Sequence, residues 1–286
     1  MISINTNNGG LFAAKAASQS QAAIDSAMQR LSTGSRINNA KDDAAGQAIA
    51  TRLTAEIQGL EIASRNVADG QSLVDTAEGA LQETHTLLLR MREIGVQAAN
   101  GTLSTSDNQA LDAEFQQLVK EIDRIAQNTT WAGAALLNGD AAGAEDSTAT
   151  FSFQAGVGNN SGADVFSVTV KNADATSLDV FVANASDATV NDVNLLSQTS
   201  AGSAITAVDG AIATVSSERA NLGAVSNRMA STMANLDQIR VNLTASKGRI
   251  ADADFAAETA NLAKGQILQQ AATAMLAQAN ASKQQV

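Results

Sequence analysis

Proline and cysteine are both absent from the 286 residues of this sequence. A proline inside a helix would remove a backbone donor and cost about 3 kcal/mol, so its absence favours long, uninterrupted helices. The absence of cysteine excludes a disulfide framework and a thiolate metal site. It leaves open whether the protein works in an oxidising or a reducing compartment.

Aromatic residues and positive charge are scarce. Only 3% of the residues are aromatic, with one Trp and no Tyr, and much of the apolar fraction is alanine. A compact, self-sufficient core is not expected, and thin helices would instead pack on each other or on other subunits. The net charge of -11 argues against nucleic acid as a partner, because binding to phosphates depends on clustered Lys and Arg.

Long apolar runs are missing as well. The sequence has no run of about eighteen apolar residues, and its start, MISINTNNGGLFAAKAAS, lacks a basic segment followed by an apolar core. Neither insertion into a membrane nor a cleaved Sec signal is predicted. A cytoplasmic protein and one exported without a cleavable signal are both compatible with this composition.

A heptad pattern runs through the first half of the chain. Residues with apolar or small side chains recur at alternating spacings of three and four, which is typical of a coiled-coil seam. The seam consists of Leu60, Ala63, Val67, Gly70, Val74, Ala77, Leu81, Thr84, Leu88, Met91, Gly95 and Ala98. Extended back through Ile49, Leu53 and Ile57, it predicts a helix of about fifty residues, on the order of 75 Å long. Asn100 and Gly101 would end it, since glycine tolerates the left-handed conformation that follows a helix.

A shorter third helix and a β-hairpin are predicted next. The sequence SDNQ indicates a helix start with Ser106 as the cap and Gln109 closing a capping box. The runs TATFSFQ and VFSVTVK then alternate with a period of two, which predicts a hairpin. By this alternation four side chains point inward: Phe151, Phe153, Val168 and Val170.

Helical periodicity returns at Ile205, and its apolar positions can be followed as far as Ile250. A break is predicted near the end of this segment, at Ser246 to Gly248, and a final helix is predicted from about Asp252 to Asn280. The two halves of the chain therefore mirror each other, and antiparallel pairing would bring the termini together and make the two breaks face each other. The predicted fold is mainly α: a long antiparallel, coiled-coil-like helical bundle with paired N- and C-terminal helices and a small β-hairpin region in the middle of the chain.

The stretch LSTGSRINNAKDDAAG separates the first helix from the second and contains Gly34, Asn38, Asn39, Asp42 and Asp43. A calcium loop is poorly supported, because the alternating oxygen ligands and the closing bidentate Glu of an EF-hand are missing. An acid pair is poorly supported too, because neighbouring side chains at a helix start point about 100° apart. A turn is favoured, with Gly34 ending the first helix and Asp42 or Asp43 capping the second.

Several joined motifs resemble bacterial flagellins. In the first half they are LSTGSRINNAKDDAAGQAIATRL, RNVADGQSLVDTAEGAL, LLLRMREIGVQAANGT and LDAEFQQLVKEIDRIAQNTTWAGAALLNG. In the second half they are RANLGAVSNRM and RIADADFAAETANLAKGQILQQAATAMLAQAN. The resemblance covers nearly the whole chain outside residues 173–203, and so many joined motifs are highly specific.

The resemblance implies a structural subunit that self-assembles into the hollow, helical flagellar filament, which is the propeller for swimming. It implies an extracellular location, reached through the flagellar type III channel without a cleaved Sec signal. Residues 1–43 and 247–286 would form the inner tube, with the stretch after the first helix as a spoke. Residues 44–246, with a β-region at about 140–200, would form the outer tube, without a large variable outer domain.

The resemblance also implies partners and functional residues, and neither a cofactor nor a metal. Implied partners are other copies of the chain, an export chaperone, and the filament cap and junction proteins. Assembly would depend on the larger apolar residues of the terminal helices: Ile24, Met28, Leu31, Phe255, Leu262, Ile267, Leu268 and Met275. Many flagellins are also bound by a vertebrate Toll-like receptor. The corresponding residues, which would equally serve packing between subunits, are Leu88, Leu89, Arg90, Met91, Arg92, Glu93, Ile94 and Glu114.

Three other functions are weighed against a filament subunit: a junction protein, a coiled-coil adhesin or scaffold, and an enzyme. A hook-filament junction protein resembles flagellin at both ends, but its signature usually reads Asp-Asp-Pro, whereas Ala44 follows Asp43 here. A generic coiled-coil adhesin or scaffold would not need polar breaks mirrored at both ends. An enzyme has little support, since His85 is the only histidine, HExxH is absent, and no motif pairs a nucleophile with a base.

Overall fold

The computed structural model of the protein describes residues 7–138, 148–158, 160, 162, 164–180 and 193–284. The elements found in these residues are α1 Asn8–Thr33, α2 Ala44–Ala98, α3 Thr105–Asn128, β1 Thr130–Trp131, β2 Ala134–Ala135, β3 Thr148–Gln154, β4 Val165–Lys171, α4 Gln198–Ala251 and α5 Phe255–Gln284. The terminal helices α1 and α5 pack on each other. The predicted mainly helical fold with a small β-region is confirmed. Of that β-region, residues 139–147, 159, 161, 163 and 181–192 lie outside the described part.

Two compact units make up the chain. The first comprises Met1–Gln58 with Ile239–Val286, and the second comprises Gly59–Gln238. The first unit therefore contains α1, α5, the start of α2 and the end of α4. The second contains α3, the strands and the remainder of the two long helices.

The core of the second unit follows the predicted heptad seam of α2. Every seam residue from Leu60 to Ala98 is buried, including the single polar one, Thr84. Thr84 satisfies its hydroxyl within the helix by donating to the carbonyl of Ala80 at 3.1 Å. The heptad prediction is confirmed from Leu60 to Ala98, and there the seam is the face through which α2 packs within its own unit. Of the residues to which the seam was extended, Leu53 and Ile57 are half-buried and Ile49 is 39% exposed.

The start of α3 differs from the prediction. Ser104, and not Ser106, is the N-cap, and Asp107, and not Gln109, completes the capping box. The carboxylate of Asp107 accepts hydrogen bonds from the Ser104 hydroxyl at 2.7 Å and the Ser104 amide at 3.0 Å. An aspartate that lies three residues after Ser104 accepts hydrogen bonds from both donors of Ser104, so the helix begins two residues earlier than the SDNQ signal indicates.

The hairpin of β3 and β4 presents one face to the core of the second unit. Its register pairs Phe151 with Val168 and Phe153 with Phe166. Val168 is fully buried and the paired Phe151 is half-buried, while the intervening serines and threonines are exposed. The predicted alternation is confirmed.

A glycine of the seam accommodates this hairpin. A Cβ added at Gly70 would lie 3.1 Å from the ring of Phe153 and 2.9 Å from Cε of Met229. The guanidinium of Arg228 lies 4.3 Å from the ring centroid of Phe166, which pairs with Phe153 in the hairpin, and makes a cation–π contact with it. Gly70 thus allows the aromatic face of the hairpin to approach the helices closely.

Two carboxylates of α3 hold irregular segments of the second unit. Oδ1 of Asp112 accepts a hydrogen bond from the amide of Leu195 at 2.8 Å, and Oδ1 of Asp123 accepts one from the amide of Ala175 at 2.8 Å. Leu195 and Ala175 are themselves fully buried. These bonds satisfy backbone donors that have no ladder partner, so the non-helical chain can pack against α3.

In the first unit, the two helix breaks are hydrogen-bonded to each other. Gly34 ends α1 with a left-handed φ of 68°, as predicted. The amide of Arg36 then donates to the carbonyl of Ala251 at 2.7 Å, and the amide of Ala253 donates to the carbonyl of Gly34 at 3.0 Å. The prediction that the breaks face each other is confirmed.

The position of the second break was predicted wrongly. No break occurs at Ser246 to Gly248: α4 continues to Ala251, and the amide of Asp252 still donates to the carbonyl of Gly248 at 2.8 Å. One glycine destabilises a helix by only about 1 kcal/mol, and the long helical segment before it is stable enough to continue past it. The chain leaves the helix where its backbone pairs with the first break, and Asp254 then caps α5 by accepting from the amide of Ala256 at 2.9 Å.

Candidate interaction surface

The terminal helices α1 and α5 approach each other closely because small residues lie between them. A Cβ added at Gly265 of α5 would lie 2.8 Å from Cγ1 of Ile24 on α1. Ala27 and Ala272 are buried in the same pair. Small side chains bring the helix axes near each other, but they bury little apolar surface, so the pair has a thin core.

Polar contacts complement this thin core along the pair. The guanidinium of Arg30 binds the carboxylate of Glu258 at 2.9 Å, and Glu258 is only 8% exposed. Further along, the side-chain amide of Gln269 donates to that of Gln21 at 2.6 Å. At the far end the Asn7 side chain donates to the carbonyl of Ala279 at 3.3 Å. These contacts fix the register of α5 against α1.

Large apolar side chains of the same two helices lie outside the pair and face solvent. Their exposed fractions run from 47% for Met28 to 75% for Phe12. The full set is Leu11, Phe12, Met28, Phe255, Ile267, Leu268 and Met275. Single exposed apolar residues are ordinary, but a series of seven on two packed helices marks an interaction surface. We call this set the terminal apolar surface.

An open groove runs along this surface between α1 and α5. Its volume is about 950 Å³, and its apolar walls include Phe12, Ala16, Leu268 and Met275. The ion-paired residue Arg30 also lines it. A groove with small residues at its base and long apolar residues at its rim is shaped to receive side chains of another helix.

The residues expected from the sequence to serve assembly fall into three groups. Ile24 is buried inside the α1 and α5 pair, and Leu31 and Leu262 are half-buried. The other five are exposed: Met28, Phe255, Ile267, Leu268 and Met275. Sequence reasoning missed Leu11 and Phe12. The available signal was that they are the only large apolar side chains between Ile4 and Ile24.

The turn after α1 is built from the asparagines and aspartates that the sequence singled out. The carboxylate of Asp42 accepts hydrogen bonds from the amides of Asn39 at 3.0 Å and Asn38 at 3.2 Å. The bond from Asn39 is the main cause of the lowered pKa of Asp42. Asp43 caps α2 by accepting from the amide of Gly46 at 2.8 Å. These side chains serve the turn and the cap, as the favoured interpretation predicted.

The motif implied for receptor recognition is divided by helix geometry. Leu88, Met91 and Ile94 are buried in the core of the second unit, whereas Leu89 is 44% exposed. Arg90, Arg92 and Glu93 are also exposed. One motif therefore contributes both a packing face and a solvent-facing one, because positions three apart share a face of the helix and neighbours do not.

The outward face carries a cluster of charges. Nη2 of Arg90 binds the carboxylate of Glu114 on α3 at 2.8 Å, and Nη1 binds Glu93 at 3.0 Å. These two hydrogen bonds, that to Glu114 first, raise the pKa of the Arg90 guanidinium above its ordinary value. Arg92 pairs separately with Asp209 of α4 at 2.6 Å. We call Leu89, Arg90, Glu93 and Glu114 the outward cluster.

In the part of the chain that the structure describes, no group of three or more His, Cys, Asp or Glu side chains is placed to hold a metal ion. His85 is half-buried on α2, beside the seam. Within the same residues, no helix has the length and apolar character that crossing a membrane requires.

Family models match both ends of the chain. Residues 4–142 match the bacterial flagellin N-terminal helical region, and residues 205–286 match the bacterial flagellin C-terminal helical region. Together they include α1, α2, α3, α5 and most of α4.

Individual proteins give the same result. A flagellin of Halalkalibacterium halodurans is 44% identical over 260 residues, covering 91% of this chain and 89% of the relative. A flagellin of Bacillus subtilis is 42% identical over 300 residues, covering 99% and 98%. The solved structure of a putative flagellar hook-associated protein from Vibrio parahaemolyticus has a TM-score of 0.58 and 16% identity, covering 74% of this chain and 100% of that one, which shows a shared fold. A junction protein is thus the less supported alternative. The chain belongs to the bacterial flagellins, a family of structural proteins, and is a subunit of the flagellar filament outside the cell.

Proposed function

We propose that this subunit polymerises by packing its terminal apolar surface against the same helices of other copies. The observation that carries the proposal is the exposure of seven large apolar side chains on α1 and α5, a helix pair whose own core is thin. Burial of such side chains against neighbours would supply what the isolated pair lacks. The groove between the helices would receive side chains of an adjacent copy.

The free energy available from burying these side chains is large enough to drive polymerisation. Full burial of a Leu, Ile, Met or Phe side chain contributes about 1.5–3 kcal/mol, and association costs about 4–15 kcal/mol. One or two contacts are therefore too few, whereas several of the seven residues acting together are enough. Contacts between different patches of identical subunits generate an open helix when the rotation does not close, which is the symmetry of a filament.

A matched pair of variants on α5 tests this surface. Ile267 is 66% exposed in the free chain, so Ile267→Ser should change the free energy of unfolding of the monomer by less than about 0.5 kcal/mol. In a filament it should remove a buried side chain and raise the critical concentration about tenfold or more. Gln270→Ser changes an exposed polar side chain of the same helix and serves as the control.

The assay is sedimentation of polymer grown from filament seeds, with circular dichroism of the monomers as a check of folding. The proposal predicts normal polymer for wild type and Gln270→Ser and a loss for Ile267→Ser. Equal critical concentrations for all three proteins would show that α5 does not pack through this side chain.

We also infer a division of the chain between two layers of the filament. Residues 1–43 and 247–286 would form the inner tube, and residues 44–246 the outer tube. The supporting observation is the pair of hydrogen-bonded breaks at Gly34 and Ala251, which interrupt the helices where a chain would cross between layers. A density map of the filament tests this assignment directly.

For the outward cluster we propose contact with a receptor protein of the Toll-like class. Its support is that Leu89, Arg90, Glu93 and Glu114 face solvent, and that two helices hold Arg90 in a charged network. Arg90→Ala should weaken binding to the receptor ectodomain about tenfold or more, as at an interface hot spot. Arg124→Ala, which removes another exposed arginine with an acidic partner, should leave binding unchanged. Unchanged binding for both variants would refute this site.

Export is proposed to proceed through the flagellar type III channel without a cleaved Sec signal, with a chaperone on the C-terminal helix. The apolar residues of α5 that face solvent support the need for such cover before assembly. The cap would contact the distal end of the filament, and the junction proteins would contact its base. Mass spectrometry of the secreted chain, showing whether its first residues are retained, tests the export route.

A further inference from the structure

Five of the six methionines lie in the described part of the chain, and these five differ sharply in exposure. Met91 and Met229 are completely buried, Met233 is half-buried, Met28 is 47% exposed and Met275 is 63% exposed. We propose that Met275 is a redox modification site, at which oxidation of the thioether to the sulfoxide by a peroxide blocks assembly. The proposal rests on the proposed function of the terminal apolar surface.

Met275 lies in the wall of the groove between α1 and α5, in the company of Phe12 and Leu268. Met275 is 63% exposed in the free chain, so a sulfoxide oxygen should be hydrated there and should leave the fold of the monomer unchanged. When another copy covers the groove, the same oxygen would be removed from water among apolar side chains. A buried polar group without a hydrogen-bond partner is costly, so the penalty would fall on the polymer alone.

In the proposed reaction, hydrogen peroxide is the oxidant and supplies the oxygen atom of the sulfoxide. The sulfur of Met275 attacks one oxygen of hydrogen peroxide, the O–O bond breaks, and an S=O bond forms. Sulfur loses two electrons, the peroxide gains them, and the second oxygen leaves as water. Sulfoxide reductases reverse the change with two electrons from thiols, so the modification is reversible.

Differences in burial determine which methionines a peroxide can oxidise. Oxidation of methionine follows access of the oxidant to sulfur, and the seam residue Met91 and the core residue Met229 are sealed in the second unit. Mild peroxide should therefore modify Met275 and, more slowly, Met28, and it should leave Met91 and Met229 intact. The two buried methionines act as internal standards in the same molecule.

The experiment treats the purified full-length monomer with hydrogen peroxide and locates the added oxygen by peptide mass spectrometry. Seeded assembly of treated and untreated protein is then compared for wild type, Met275→Leu and Met28→Leu. Leucine keeps a similar volume and apolar character but has no sulfur. At a peroxide dose that oxidises Met275 but not the slower Met28, we expect treatment to raise the critical concentration of wild type and Met28→Leu about tenfold or more, and to leave Met275→Leu unchanged.

A second arm treats assembled filaments, in which Met275 should be protected from oxidation relative to the monomer. The proposal is overturned if oxidised wild type assembles like untreated protein, or if Met275→Leu loses assembly to the same extent on treatment. Failure of the proposed function is distinguishable from both outcomes. In that case the untreated wild type and Ile267→Ser proteins would assemble equally, whatever the peroxide does.

Discussion

The adjacent residues Leu88 and Leu89 provide the sharpest test of how α2 is oriented. Leu88 is completely buried in the seam, and Leu89 is 44% exposed. Truncation of a buried leucine to alanine removes its transfer free energy and leaves a cavity, at a total of about 2–5 kcal/mol. Truncation of the exposed neighbour should cost less than about 1 kcal/mol, since alanine also favours the helix.

The assay is urea unfolding of the monomer followed by circular dichroism, with Leu88→Ala and Leu89→Ala measured beside wild type. Both variants carry the same change of residue, so their difference reports environment alone. We expect a midpoint clearly lowered for Leu88→Ala and nearly unchanged for Leu89→Ala, with similar slopes. Equal losses for the two variants would mean that the seam is placed on the wrong face of the helix.

Two further predictions concern local contacts. Gly70→Ala should be less stable than Gly79→Ala, because the added Cβ at Gly70 would lie 3.1 Å from the Phe153 ring and 2.9 Å from Cε of Met229. Gly79 has open space around it, so its change to alanine should stabilise the protein by about 0.5–1 kcal/mol. Thermal unfolding with the same shift for both variants would contradict this packing. The hydrogen bond from the Ser104 side chain is the first cause of the lowered pKa of Asp107. The charged cap therefore stabilises α3 above the ordinary carboxyl pKa of 3.8, and this contribution is lost as the pH falls through the lower folded value. In Ser104→Ala the pKa of Asp107, followed by NMR titration, should rise.

Much of the architecture follows from periodicity and from turn chemistry. The heptad seam of α2, the alternating hairpin and the glycine that ends α1 are local patterns, and each is found as predicted. Cap positions were less secure. Ser104 and Ser106 are equally good caps in isolation, and Asp107 decides between them by closing the box. The end of α4 depends on backbone pairing with Arg36, a contact that no local signal reveals.

The β1 and β2 pair was missed for a related reason. Ala132 and Gly133 join these strands, and both have positive φ. A two-residue hairpin needs such angles, but alanine rarely adopts them and gives no turn signal. The turn is recognisable only from the pairing of Thr130 with Ala135 and Trp131 with Ala134 on either side of it.

The interaction surface was predictable only in part. An apolar residue of an amphipathic helix reads the same whether it faces its own core or another copy. Ile24 and Ile267 illustrate this: the first is buried against Gly265, and the second is 66% exposed. Only the packing of α1 on α5 separates them, because that pairing selects which face of each helix is used within the chain.

The central claim is that the terminal apolar surface becomes buried between copies. Electron cryomicroscopy of filaments grown from the purified chain tests it most directly, at a resolution that shows side chains. The account predicts a hollow helical filament in which Phe12, Ile267 and Met275 pack against neighbouring subunits. A filament in which these side chains still face water would contradict it, since the polymer would then be held together by other surfaces.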